Sequence, residues 1–180
     1  MLKLCSKLMA ILPALSLILM SFSSQATNLT VGDFAPNFKL QATNGKFYQL
    51  SDFKGKQAVV LAWYPKANTY GCTIECKSLT EDGHLIREFN VSYVMASVDE
   101  LLDNKKFAEE QKADFPMLSD PTKQAAKAYD VLNWMGVASR VTFVIGKDGK
   151  ILYVNEKVKP ATAAQDIANT LKKLGIEKAM

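Results

Sequence analysis

Dense basic runs are missing from this sequence, and so are internal repeats, low-complexity tracts and interior linkers. The first absence argues against a nucleic-acid binder, because phosphate recognition needs clustered positive charge. The others point to one folded domain rather than an array or a string of modules. Histidine and arginine are scarce: His84 is the one histidine, and the arginines are Arg87 and Arg140. Cysteine is scarce too, at three residues, Cys5, Cys72 and Cys76. A hydrophobic run long enough to cross a bilayer is also lacking. The apolar stretch from Leu8 to Met20 falls short of the roughly 20 residues that a spanning helix needs.

What the first residues do contain is an export pattern. Lys3 and Lys7 make a basic n-region, Leu8 to Met20 an apolar h-region, and Ser24-Gln25-Ala26 the small-x-small sequence that precedes signal peptidase cleavage. Residues 1–26 are therefore expected to be a signal peptide and residues 27–180 a single domain, exported to a bacterial periplasm. No stable membrane insertion is expected after cleavage. The cut would remove Cys5 and two lysines, lowering the formal net charge from +4 to +2.

Cys72 and Cys76 would then be the remaining cysteines, in a compartment where thiols tend to oxidise. A bridge between them would close a very short loop and contribute little as a structural staple. Redox chemistry or metal binding is the better expectation.

The patterning predicts alternating strands and helices. Phe38–Gln41 and Phe47–Leu50 flank Asn44-Gly45, a two-residue hairpin signal. Ala58–Trp63 is continuously apolar, as a central buried strand should be. Residues 72–89 read as one helix whose apolar face is Ile74, Leu79, Leu85, Ile86 and Phe89. Val91–Val98 follows as a strand, Asn104–Lys112 and Ala125–Tyr129 as helices, Val141–Ile145 and Ile151–Val154 as a hairpin, and Ala163–Leu174 as the closing helix. Hairpins at both ends around alternating units imply an α/β fold with a mixed central sheet flanked by helices.

Residues 63–76 carry the chemistry. They join a strand to a helix, and there unpaired backbone N–H groups and the helix dipole favour a thiolate at Cys72. Gly71 permits a sharp turn and a close backbone approach. Pro65 ends the strand without an N–H donor, and Thr69 offers a hydroxyl that both donates and accepts. Pro65, Thr69 and Cys72 stand in the order Pro-x-x-x-Thr-x-x-Cys, which resembles the active-site motif of the peroxiredoxins. The resemblance covers nearly all of residues 29–175 and implies their thioredoxin-like fold with an extra N-terminal hairpin.

By the same resemblance, Arg140, which leads into the strand Val141–Ile145, matches the arginine that reaches the thiolate in that family. The implied activity is thiol-dependent reduction of hydrogen peroxide or organic hydroperoxides, with no cofactor and no metal. Cys72 would attack the peroxide, Thr69, Gly71, Arg140 and local N–H groups would bind it, and Cys72 would become a sulfenic acid. Gly-Cys-Thr followed by a second cysteine in the same helix resembles the bacterioferritin-comigratory or Q-type branch. Two departures stand out: Cys76 lies four residues after Cys72 where the branch usually has five, and Tyr70 stands where it commonly has proline.

The first departure bears on Cys76 as resolving cysteine. An i, i+4 pair is separated by about 6 Å of helical rise, so a disulfide requires the first turn to unwind. If Cys76 does not resolve, an external thiol completes the cycle. The implied partners are a peroxide and an extracytoplasmic thiol reductant, either a thioredoxin-like protein or a small thiol.

Several other residues receive packing roles. Trp63 and Tyr64 are expected at the core edge, Tyr70 at the pocket mouth, Trp134 and Met135 over the site or on an association surface, and Asp99 in a local cap or pair. Arg87 and His84 are expected on solvated or packed helix faces. Cys72-x-x-x-Cys76 is also similar to the motif of Sco-type copper chaperones, but the distal histidine those proteins add is absent. A thioredoxin-type thiol–disulfide oxidoreductase would need Cys-x-x-Cys, one residue shorter.

Overall fold

The computed structural model describes residues 29–179; the expected signal peptide and Cys5 lie outside them. In chain order the elements are β1 (Lys39–Ala42), β2 (Phe47–Gln49), β3 (Ala58–Trp63), α1 (Tyr70–Glu81), α2 (Gly83–Arg87), β4 (Val91–Ser97), α3 (Leu101–Glu110), β5 (Met117–Ser119), α4 (Gln124–Ala128), β6 (Val141–Ile145), β7 (Ile151–Asn155) and α5 (Ala163–Lys173). The strands form one sheet in the order β2-β1-β5-β4-β3-β6-β7. β3, β4 and β5 run parallel to one another, and the remaining pairings are antiparallel. The sheet is mixed, as the pattern predicts.

β3 lies deep inside it because both of its faces are covered. Val60, Ala62 and the following Tyr64 enter a core with Cys72, Cys76 and Leu79 of α1, Ile86 of α2, Phe107 of α3 and Ile167 of α5. Val59, Leu61 and Trp63 enter a second core with Ala125 and Ala126 of α4, Tyr129, and Phe143 of β6. That two-sided burial is why the run lacks polar alternation.

Four local expectations need correction. The single helix over 72–89 is two helices: it begins two residues earlier and breaks at Asp82, which holds a non-helical φ of −103° and ψ of 9°. Gly83 follows with space for no side chain, since a Cβ there would sit 2.5 Å from the Tyr93 hydroxyl. The first hairpin turns through residues 43–46 rather than two residues, with Gly45 at a positive φ of 81° and its N–H bonded to the Ala42 carbonyl. Met117–Ser119 forms a strand, β5, that a three-residue run cannot announce. Ile74 and Leu85 are only half-buried; α1 instead buries Cys72, Glu75, Cys76, Ser78 and Leu79.

Candidate active site

The site forms where β3 hands the chain to α1. β3 and β6 are antiparallel neighbours, with Trp63 at the end of one opposite Val141 at the start of the other. The segment leaving β3 and the residue entering β6 therefore meet at one end of the sheet. That register brings Arg140 against Cys72 across 68 positions of sequence.

Between them, residues 64–69 make a tight passage. Tyr64 is wholly buried, Pro65 is half-buried, Asn68 takes a left-handed φ of 59°, and Thr69 is extended at φ −89°, ψ 152°. The Ala67 N–H donates to Asp99 Oδ2 at 2.8 Å, so the carboxylate after β4 pins the loop rather than capping locally as expected. α1 then begins. Its first intrahelical bond runs from the Thr73 N–H to the Thr69 carbonyl at 2.9 Å. The N–H groups of Tyr70, Gly71 and Cys72 precede that bond, and no side chain caps them. Cys72 thus sits in the first turn, where orphan donors and the helix dipole favour negative charge.

Arg140 supplies the fixed cation. Its Nη2 donates to Cys72 Sγ at 3.2 Å, and its Nη1 donates to Glu75 Oε2. Burial works against the guanidinium charge, but Glu75 and Cys72 together outweigh it and hold the group above its ordinary value. The close approach needs Gly71: a Cβ there would lie 3.1 Å from Arg140 Nη2. Cys72 is 1% exposed, so its sulfur is offered to a small group entering beside the helix start, not to a broad surface.

Glu75 is the site residue that sequence reasoning missed. It is 1% exposed, and its Oε1 has no hydrogen-bond partner. Burial pushes its carboxyl up to about 7, against the opposing pull of Arg140. The available signal was spacing: residues at i and i+3 share a helix face, so Glu75 had to lie beside Cys72. Only the tertiary structure shows that this face turns inward.

The remaining expected residues divide. Thr69 stands at the helix start but is exposed, and its hydroxyl donates to the Lys66 carbonyl at 2.9 Å rather than to the sulfur. Cys76 is 0% exposed, one turn beyond Cys72 in an intact helix, and burial raises its thiol to about 12. Both thiols are free. Among the described residues no three His, Cys, Asp or Glu side chains gather as a metal-holding group, so exposed His84 does not complete a ligand set with the two cysteines. Tyr70 and Trp134 are 85% and 92% exposed. Trp63 and Tyr64 are buried outright, not at a core edge. Arg87 pairs with Asp114 at 2.9 Å on the surface.

The AhpC/TSA family matches residues 31–154, a span that takes in Cys72, Glu75 and Arg140 together. The chain belongs to the AhpC/TSA family. Peroxiredoxin Bcp of Escherichia coli K12 is 32% identical over 151 residues, covering 80% of this chain and 96% of that protein. Peroxiredoxin Bcp of Bacillus subtilis is 32% identical over 152 residues, again covering 80% and 96%. Among solved structures, peroxidoxin BcpB of Mycobacterium tuberculosis aligns with a TM-score of 0.74 at 31% identity, over 81% of this chain and 97% of that one. PrxQ of Xylella fastidiosa gives 0.76 at 26% identity, over 83% and 99%. This AhpC/TSA member has the thioredoxin-like fold and falls in the bacterioferritin-comigratory, Q-type peroxiredoxin branch. It is a thiol-dependent peroxidase.

Proposed function

We propose that Cys72 is the peroxidatic thiol of an exported Q-type peroxiredoxin, acting on hydrogen peroxide or organic hydroperoxides, and that Cys76 resolves it. The supporting observation is Arg140 Nη2 at 3.2 Å from Cys72 Sγ, at a helix start whose first N–H groups are uncapped. A cation and a fan of donors around one sulfur are placed to assist its attack and to receive the charge that develops on a departing oxygen.

The steps balance. The thiolate attacks the distal oxygen of ROOH, the O–O bond breaks, and Cys72 becomes a sulfenic acid while RO⁻ leaves and is protonated. The Cys76 thiol then attacks the sulfenic sulfur, giving a disulfide and water. Two thiols of an external reductant, either a thioredoxin-like protein or a small thiol, restore both cysteines by exchange. Thr69 needs a rotation of its hydroxyl away from Lys66 to reach a bound peroxide. Cys76 needs α1 to open, because its sulfur is sealed in the core and the helix is intact.

Export follows from the basic, apolar and small-x-small order of residues 1–26. It places the reductant outside the cytoplasm.

Intact mass after one equivalent of hydrogen peroxide tests the cycle, with Cys72→Ser and Cys76→Ser proteins alongside. The expected results are a loss of two hydrogens in the wild type, a trappable sulfenic acid in Cys76→Ser, and neither in Cys72→Ser. A sulfenic acid persisting in the wild type would remove Cys76 from the cycle. Inert Cys72 would remove the assignment altogether. Export is checked on the protein recovered from the periplasm of a producing cell, which should begin at Thr27.

A further inference from the structure

The guanidinium of Arg140 serves two acidic groups on one turn of α1. Nη2 donates to Cys72 Sγ and Nη1 to Glu75 Oε2. Both acids are 1% exposed, and Glu75 Oε1 has no hydrogen-bond partner among the described residues. A single half-buried cation beside two buried acids supports one negative charge well. A second would be taken from water with a like charge nearby and no further cation to offset it.

We propose that Glu75 is a proton store for the peroxidatic step, holding a proton while Cys72 is a thiolate and giving it up as Cys72 becomes a sulfenic acid. The inference rests on Cys72 as the attacking thiol. In the reduced site the anion is the sulfur and Glu75 is a neutral acid. Attack consumes that anion: Cys72–S⁻ and ROOH give Cys72–SOH and RO⁻. The proton of Glu75 passes to RO⁻, directly or through solvent, giving ROH. The Glu75 carboxylate then takes the whole of the Arg140 charge. Nothing is oxidised or reduced beyond sulfur and peroxide, and the charge beside Arg140 stays at one negative unit. Reduction of Cys72 back to a thiolate returns the proton to Glu75.

The surroundings fit such a role. Glu75 faces Arg140 from the segment entering β6, and Cys72 and Cys76 from its own helix. Cys76 is held neutral by burial, with its thiol at about 12. Tyr64, which lies against both cysteines in the core, is kept un-ionised by burial and donates its hydroxyl to Asn104 Oδ1 at 2.6 Å. Burial and Arg140 therefore set the Glu75 carboxyl before any charge on the neighbouring sulfur is added. Its carboxyl, at about 7, is poised to exchange a proton near neutral pH.

Infrared difference spectroscopy tests this on the Cys76→Ser protein, which stops at the sulfenic acid, at about pH 8, above the value that burial and Arg140 alone give Glu75, so that the neighbouring thiolate is what keeps the carboxyl protonated. Oxidation by one equivalent of hydrogen peroxide should remove one protonated-carboxyl C=O band and add carboxylate bands, one for each sulfenic acid trapped by a cyclic dione. In a Glu75→Gln, Cys76→Ser protein the carboxyl band should be missing from the difference spectrum. Sulfenic acid formed without any carboxyl change would overturn the proton store while leaving the peroxidase intact. A band change that survives Glu75→Gln would overturn it as well, because the proton would then belong to another group. Should no sulfenic acid form, the assignment of Cys72 falls first and the proposal with it. The first measurement needs no substitution at residue 75, so a folding defect in that variant cannot hide the answer.

Discussion

At the scale of single residues, the site is a competition over one guanidinium. Arg140 is half-buried, planar and unable to lose its proton, which makes it a fixed electrostatic feature rather than a titrating one. Replacing it by leucine removes both the donor on Cys72 and the partner of Glu75. We expect the second-order rate of peroxide reduction to fall by about 10²- to 10³-fold, the usual consequence of deleting one oriented donor from a charge-stabilising site. Stopped-flow tryptophan fluorescence of Cys72 oxidation measures it.

Glu75 should also mark the stability curve. Its folded-state value of about 7 lies above the ordinary 4.5, so between those pH values the folded chain keeps a proton that the unfolded chain has lost. Stability should therefore decline as pH rises through that window, by on the order of 3 kcal/mol. Glu75→Gln should flatten the slope in urea titrations taken at several pH values.

At the scale of elements, the proposed cycle asks the first turn of α1 to be both a scaffold and a hinge. It aims the N–H groups of residues 70–72 outward while fixing Cys72 under Arg140, yet an i, i+4 disulfide cannot form on an intact helix. Thr69 does not cap it, and buried Glu75 leaves an oxygen unpaired. We expect hydrogen exchange of the amides from Thr73 to Ser78 to quicken markedly in the disulfide form relative to the reduced form, while those of β3 stay protected. Equal protection in both forms would show that Cys76 bridges without unwinding or does not bridge.

Gly71 belongs to this scale as well. With 3.1 Å between a Cβ and Arg140 Nη2, Gly71→Ala should push the guanidinium aside. Peroxide reduction should slow several-fold, short of the loss in Arg140→Leu. The same stopped-flow assay compares the two.

At the scale of the whole molecule, a buried polar cluster ties the active-site loop to the neighbouring strands β4 and β5. Tyr64 donates to Asn104, whose Nδ2 donates to Ser119 Oγ at 2.7 Å and Ser97 Oγ at 3.1 Å. Ser97 in turn accepts from the Asp99 N–H, and Asp99 holds Ala67. The chain of contacts spans β3, β4, α3 and β5. Asn104→Leu would strand several buried hydroxyls at once, and we expect a loss of about 2–4 kcal/mol in chemical denaturation. A loss under about 1 kcal/mol would mean that water or repacking satisfies them.

The order of strands and helices was legible along the chain because apolar runs and turn residues are local signals. Ala58–Trp63 reads as a buried strand from its composition alone, and Pro65, Thr69 and Cys72 point to the chemistry through their resemblance to a family motif. The break at Asp82 was not read from the apolar pattern, which runs on through it, and the packing of Gly83 under the Tyr93 hydroxyl is a tertiary contact. Strand β5 was too short to carry a period, and Asp99 gave no sign that it would reach Ala67. The partnership of Cys72, Arg140 and Glu75 is likewise a tertiary matter. The sequence could nominate Arg140 by resemblance, but only the antiparallel register of β3 with β6 puts it on the sulfur. Glu75 looked like one more polar helix residue until packing turned its face inward. The amino-acid order alone determined most of the local strands and helices and, through a family resemblance, nominated Cys72 as the nucleophile. The fold decided which charges share a buried space, because burial and distance exist only once the chain has closed on itself.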